Sequence, residues 1–108
     1  MQSEQTRLEM LEKAKEYALA EAERVYLTEL RKSTKAELMK EAEAQGVTAA
    51  NAQEREAYAH PAYISLLERL RKATEVATLR RLEFKMKEWE IEVWRTKQAT
   101  KRAETKIL

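Results

Sequence analysis

Helix breakers are nearly absent from this chain. Gly46 is its only glycine and Pro61 its only proline, so two stretches of more than forty residues run uninterrupted on either side of them. A glycine costs a helix about 1 kcal/mol and a proline about 3 kcal/mol, so their absence over such lengths favours long helices. The residues that fill the gaps agree. Charged residues make up 37% of the chain, and Ala, Leu, Glu, Lys and Arg dominate, all of which lose little on entering a helix. No segment alternates apolar and polar residues in the manner of a strand, and 108 residues suffice for one domain. The expected fold class is therefore all-α, a single helical domain over residues 1–108.

The two breakers place the joints. A first helix is expected over residues 4–44, with Ser3 as its N-cap and Gly46 where a helix stops in a left-handed cap. Thr48 can cap a short helix over 49–59. His60 precedes proline and so disfavours the helical region, which ends that helix and makes His60 a junction or capping residue. Pro61 suits the first turn of a third helix, 61–105, where a missing N–H is no loss. At ~1.5 Å per residue the third helix is roughly 65 Å long, and the first nearly matches it. Two such helices with a short connecting helix make an antiparallel hairpin.

Periodicity says which faces need cover. In helix one, Leu8, Leu11, Ala14, Ala18, Ala22 and Val25 recur every three or four residues, and the stripe drifts to Tyr26, Leu30, Leu38 and Ala42. Helix three carries two stripes. Leu79, Leu82, Met86, Trp89 and Val93 are spaced 3, 4, 3, 4, a heptad seam. Leu66, Leu70, Ala73, Ala77, Phe84 and Ile91 form a second, well over 100° away around the helix. One stripe can pack on helix one. The other faces either helices one and two of the same chain or a further copy of it. Each large apolar side chain is worth roughly 1.5–3 kcal/mol when fully buried, so five left wet forfeit a good deal of stability. Self-association through Leu79, Leu82, Met86, Trp89 and Val93 is the economical solution, giving an oligomeric coiled coil or helical bundle.

Several functions are disfavoured by what is missing. There is no cysteine and no aspartate, and His60 is the only histidine. No structural zinc site, Ser-His-Asp set or Cys-His set can be assembled within one chain. No catalytic residues, metal or cofactor are expected. No apolar run approaches membrane-spanning length and the first residues open none, so the chain reads as cytoplasmic and away from membranes.

Charge is unevenly spread. Residues 1–56 hold 9 basic and 12 acidic side chains, and residues 57–108 hold 12 basic and 7 acidic. The C-terminal run Arg95, Lys97, Lys101, Arg102 and Lys106 meets only Glu104. It suits an anionic partner, and equally the negative end of its own helix dipole. Trp89 and Trp94 precede it, and aromatic rings beside cations grip single strands by stacking on bases while the cations track phosphates. Trp89 belongs to the heptad seam, so packing has first claim on it. Trp94 lies off the seam. A second basic cluster, Arg31, Lys32 and Lys35, lies midway along helix one. Both clusters can equally be solvated faces.

Three strings carry a resemblance. They are Tyr26-Leu27 with Leu30-Arg31-Lys32-Ser33, Ala36 and Leu38-Met39; Arg55-Glu56 with Tyr58-Ala59-His60-Pro61-Ala62-Tyr63, Leu67 and Leu70-Arg71; and Trp94-Arg95-Thr96 with Gln98-Ala99-Thr100 and Arg102-Ala103-Glu104. Over residues 17–105 this pattern resembles small helical phage proteins from recombination and single-strand-annealing gene neighbourhoods. In layout it is similar to the UvsY-type recombination mediator family of T-even-type phages, a match of architecture more than of sequence. That resemblance implies a homo-oligomer in the cytoplasm of an infected or lysogenic bacterial host. It implies single-stranded DNA as ligand, and a phage or host recombinase, annealing protein or single-strand-binding protein as partner. Arg31, Lys32, Lys35, Trp94, Arg95, Lys97, Lys101 and Arg102 would then contact DNA. The same residues leave open a protein–protein adaptor or assembly scaffold without nucleic acid, and a small bundle that recognises folded RNA.

Overall fold

The structure, a computed structural model, describes residues 2–107. Among them it is all-helical: α1 spans Gln2–Ala44, α2 Ala50–Ala59 and α3 Pro61–Ile107. None of these helices is long and apolar enough to cross a membrane. Ser3 lies inside α1 instead of capping it, because the helix begins two residues before the expected start.

The joints are built as the breakers require. Gly46 has φ 98°, the left-handed conformation. Its N–H donates to the Glu43 carbonyl at 3.0 Å, and the Val47 N–H donates to the Ala42 carbonyl at 3.0 Å. These are the two bonds of a Schellman motif, and they satisfy carbonyls that the end of α1 would otherwise orphan. Thr48 does not cap α2. Ala49 holds that position without a side-chain cap, and the Gln53 side chain donates back to the Val47 carbonyl at 2.8 Å. His60 serves both neighbouring helices. Its N–H donates to the Ala57 carbonyl at 3.2 Å, and its carbonyl accepts from Tyr63 at 3.0 Å and Ile64 at 3.1 Å. Its Nδ1 accepts the Ala62 N–H at 3.0 Å.

The chain forms two compact units, Ala20–Ala77 and a second made of Met1–Leu19 with Thr78–Leu108. Within the first lie all the buried apolar residues among those described: Leu27, Leu38, Ala42, Ala57, Tyr63, Leu66 and Ala77. Leu38, Ala57 and Tyr63 pack as one cluster with Met39 against it. Tyr58 meets Tyr63 edge-on with ring centroids 5.3 Å apart.

The second unit has no buried residue among those described. Half-buried Met10, Ala14 and Tyr17 of α1 and Phe84 and Ile91 of α3 line its interior. The Tyr17 and Phe84 rings are 6.3 Å apart. Lys13 bridges to Glu83 at 3.2 Å, and Lys87 pairs with Glu9. This unit also carries most of the bare apolar surface. Leu79, Leu82, Met86 and Trp89 are between 48% and 66% exposed, whereas Leu66 and Ala77 of the other stripe are buried and Leu70, Ala73, Phe84 and Ile91 half-buried. The Leu66–Ile91 stripe is thus the face α3 uses within its own chain.

In α1 Leu38 and Ala42 are buried and Leu30 half-buried as expected, but over the first part of the helix the inward face differs from the expected stripe. Leu8, Leu11, Ala18, Ala22 and Val25 are exposed, and Met10, Tyr17 and Leu27 turn inward in their place. At about 100° per residue these two sets are centred roughly 140° apart around the helix. Leu19, 74% exposed, belongs to the outward set.

Candidate nucleic-acid interface

The basic C-terminal part of α3 is an exposed cationic surface with few ion pairs among the described residues. Thr96, Thr100 and Thr105 turn their hydroxyls back to the carbonyls of Glu92, Thr96 and Lys101, so they continue the helix and offer little to a ligand. Lys97, Lys101 and Arg102 are exposed and form no ion pair among the described residues. Arg95 is exposed and reaches Glu92 at 3.6 Å, a loose i,i+3 pair worth little in water. Trp94 is 45% exposed, so its ring has an open face.

The surroundings of Trp94 are mixed in charge. It borders an open groove of about 810 Å³ between the start of α1 and α3. Arg7, Lys87 and Arg95 line it, but so do Glu9, Glu88, Glu90 and Glu92, four carboxylates against three cations. Such a groove offers phosphates no net positive charge. Lys87 is further committed to Glu9 and, at 3.4 Å, to Glu90. The Lys87 hydrogen bond holds the Glu9 carboxyl below its ordinary range, and Glu9 in turn lifts the Lys87 ammonium above its own. A polyanion is therefore better served beyond Trp94, towards Lys101 and Arg102.

The mid-α1 cluster is less available than its sequence suggests. Lys35 bridges to Glu54 of α2 at 3.1 Å, and its Nζ lies 4.7 Å from the Tyr58 ring centroid. Tyr58 first and Glu54 second hold the Lys35 ammonium above its ordinary range. Lys35 thus ties α1 to α2. Lys32 is exposed and pairs with Glu29 at 3.3 Å. Arg31 is half-buried and forms no ion pair among the described residues. Nothing in the spacing marks Glu54, 19 residues on, as the partner of Lys35. An aromatic beside it at Tyr58 is the one available hint.

The residues expected at a self-association surface fall together. Leu79, Leu82, Met86 and Trp89 project from one side of α3 into solvent, with Val93 half-buried at the same phase. Trp89 is 66% exposed, so most of its surface is open to solvent. Sequence spacing finds Leu8 and Leu11 of α1 but neither Leu19 nor the outward direction of that stripe, which makes it a second such surface. No three His, Cys, Asp or Glu side chains among the described residues are grouped to hold a metal ion.

No family model matches the chain, and neither a curated protein nor a solved structure matches it.

Proposed function

We propose that this chain is a phage DNA-recombination accessory protein: an oligomeric mediator that binds single-stranded DNA and assists a recombinase or annealing protein. It is built on an antiparallel hairpin of α1 and α3, a reading supported by cross-pairs whose order rises in α1 and falls in α3, Glu9 with Lys87 and Lys13 with Glu83. Copies associate through Leu79, Leu82, Met86, Trp89 and Val93. The observation that carries the reading is the pairing of two properties in one unit, a bare apolar seam with no core beneath it and exposed, unpaired Lys97, Lys101 and Arg102 at its C-terminal end. The seam supports assembly. The tail supports an anionic, extended ligand, with Trp94 beside it for stacking.

The test is a titration of a labelled single-stranded oligonucleotide across salt concentrations. Binding at low salt that falls steeply with added salt is expected, since each phosphate contact releases counterions. Absence of binding at low salt would sink the DNA reading.

A second reading is a protein–protein adaptor or scaffold without nucleic acid. It is favoured by the Lys35–Glu54 and Lys32–Glu29 pairs, which occupy two of the candidate cations, and by the carboxylates around Trp94. Replacing Lys101 and Arg102 together with Glu separates the two. The mediator loses oligonucleotide binding. The adaptor keeps its partners.

A further inference from the structure

The exposed seam of α3 also carries information about how a second copy sits on it. Written as a heptad, Leu79, Met86 and Val93 fall at a positions and Leu82 and Trp89 at d. Continuing the repeat puts Thr100 and Ile107 at a. Upstream the register fails, with Lys72 and Glu75 at the corresponding positions, so the seam begins at Leu79. Val93, Thr100 and Ile107 are β-branched at a, but Leu79 and Met86 are not and Trp89, Thr96 and Ala103 stand at d, so the seam residues leave the orientation to the flanking charges.

The flanking charges favour one orientation. Lys85 and Glu92 occupy g positions, and Glu90 and Lys97 occupy e. In a parallel, in-register pair each g residue meets the e residue five places on in its partner. Lys85 then meets Glu90, Glu92 meets Lys97, and no like charges are opposed. In an antiparallel pair e meets e and g meets g. At the register that sets Leu82 against Val93, Glu83 would face Glu90, a like-charge contact, while Lys85 would face Glu92, so only the parallel pair leaves no like charges opposed. Lys85 and Lys97 are exposed and have no ion-pair partner within the chain among the described residues, so they are free for this role.

We infer that α3 pairs with α3 of a second copy of this chain, parallel and in register from Leu79 onward, with Lys85–Glu90 and Glu92–Lys97 pairs setting the orientation. The inference rests on the self-association proposed above and specifies its geometry. It changes the assignment of one cation: Lys97 serves the interface. Lys101 and Arg102, at b and c positions, stay outside it. Parallel pairing also sets the two C-terminal basic segments at the same end, so their cations add for an anionic ligand.

The chain has no cysteine, so single cysteines report directly on orientation. Val93→Cys oxidised alone should give a disulfide-linked dimer. Mixed with Leu82→Cys, the cross-product between the two variants should be the minor species by about tenfold, since disulfides form only where Cα atoms approach within about 7 Å. A mixture in which Val93→Cys links mainly to Leu82→Cys overturns the parallel orientation while leaving self-association intact. A monomeric mass for the unmodified chain removes self-association itself. As a second measurement, Lys85→Glu should weaken self-association roughly tenfold, because it reverses two symmetry-related pairs. Adding Glu90→Lys should restore it. Failure of that restoration counts against the register.

Discussion

His60 is the residue on which two helices turn. Its carbonyl starts the α3 ladder, its N–H closes α2, and its Nδ1 caps the Ala62 amide, which requires the ring proton on Nε2. Ala57 and Tyr63, three residues to either side, are both in the buried cluster, so the cap acts on the packed part of the chain. His60→Ala should cost about 0.5–2 kcal/mol in urea unfolding, the usual loss for a removed N-cap. His60→Asn should recover most of it, since Asn caps well, and an alanine variant as stable as the parent would show the hydrogen bond to be idle. The charged residues make a different prediction. Glu9, Glu54 and Glu83 are held below the ordinary carboxylate value of 4.5 by hydrogen bonds from Lys87, Lys35 and Lys13 respectively. Their contribution is therefore present above pH 4.5 and lost as pH falls through the lower folded values. Lys87 and Lys13, raised above 10.5 by Glu9 and Glu83, contribute fully below 10.5 and lose that contribution as pH rises through the higher folded values. Thermal melts should lose stability at both extremes on account of these pairs, and Glu9→Gln should flatten the acid limb.

At the scale of elements, the breakers made the helices legible and the apolar spacing did not say which way they face. Gly46 and Pro61 mark the joints to within a residue or two, because their backbone demands are local. The double striping of α3 is likewise visible, since 3.5-residue and 3.6-residue spacing both place Leu66–Ile91 and Leu79–Val93 apart. Which stripe the chain covers itself depends on contacts far along the sequence. In α1, Leu8, Leu11, Ala18, Ala22 and Val25 stay outside, and of that stripe Ala14 alone turns in. The inward face mixes Met10 and Tyr17 with Lys13, whose stem packs while its ammonium reaches Glu83. A polar residue on the inner face hides that face from a hydrophobicity reading. The basic tail was legible as charge, but the engagement of Lys35 by Glu54 was not, because α2 brings in its partner. The uneven burial has a measurable consequence. Amides near Leu27, Leu38 and Leu66 should exchange with solvent more than about tenfold slower than those near Met10 and Phe84 in dilute protein. Protection near Phe84 should rise with concentration if copies associate there, and protection independent of concentration would place the association elsewhere.

For the whole molecule, the decisive property is that one unit has surface enough for an interface and no core enough to do without one. Leu82 and Met86 are 48% and 61% exposed in the single chain, so changing Met86 should leave each chain's own packing largely intact. Met86→Lys places a charge in the centre of the seam, where association would have to desolvate it twice, once from each copy. The expected result is a light-scattering mass that falls to that of one chain, with helix content by circular dichroism little changed. Oligonucleotide affinity should fall with it, by about a hundredfold, because two linked basic segments bind a single strand with an effective concentration that one segment lacks. The two losses separate under a second condition. Lys101→Glu with Arg102→Glu should abolish binding while leaving the mass of the assembly unchanged, because neither side chain lies on the seam. If Met86→Lys still assembles, the outward stripe of α1, with Leu8, Leu11 and Leu19, becomes the interface to test. If it is monomeric and binds DNA undiminished, assembly and ligand are independent, and the tail acts on its own.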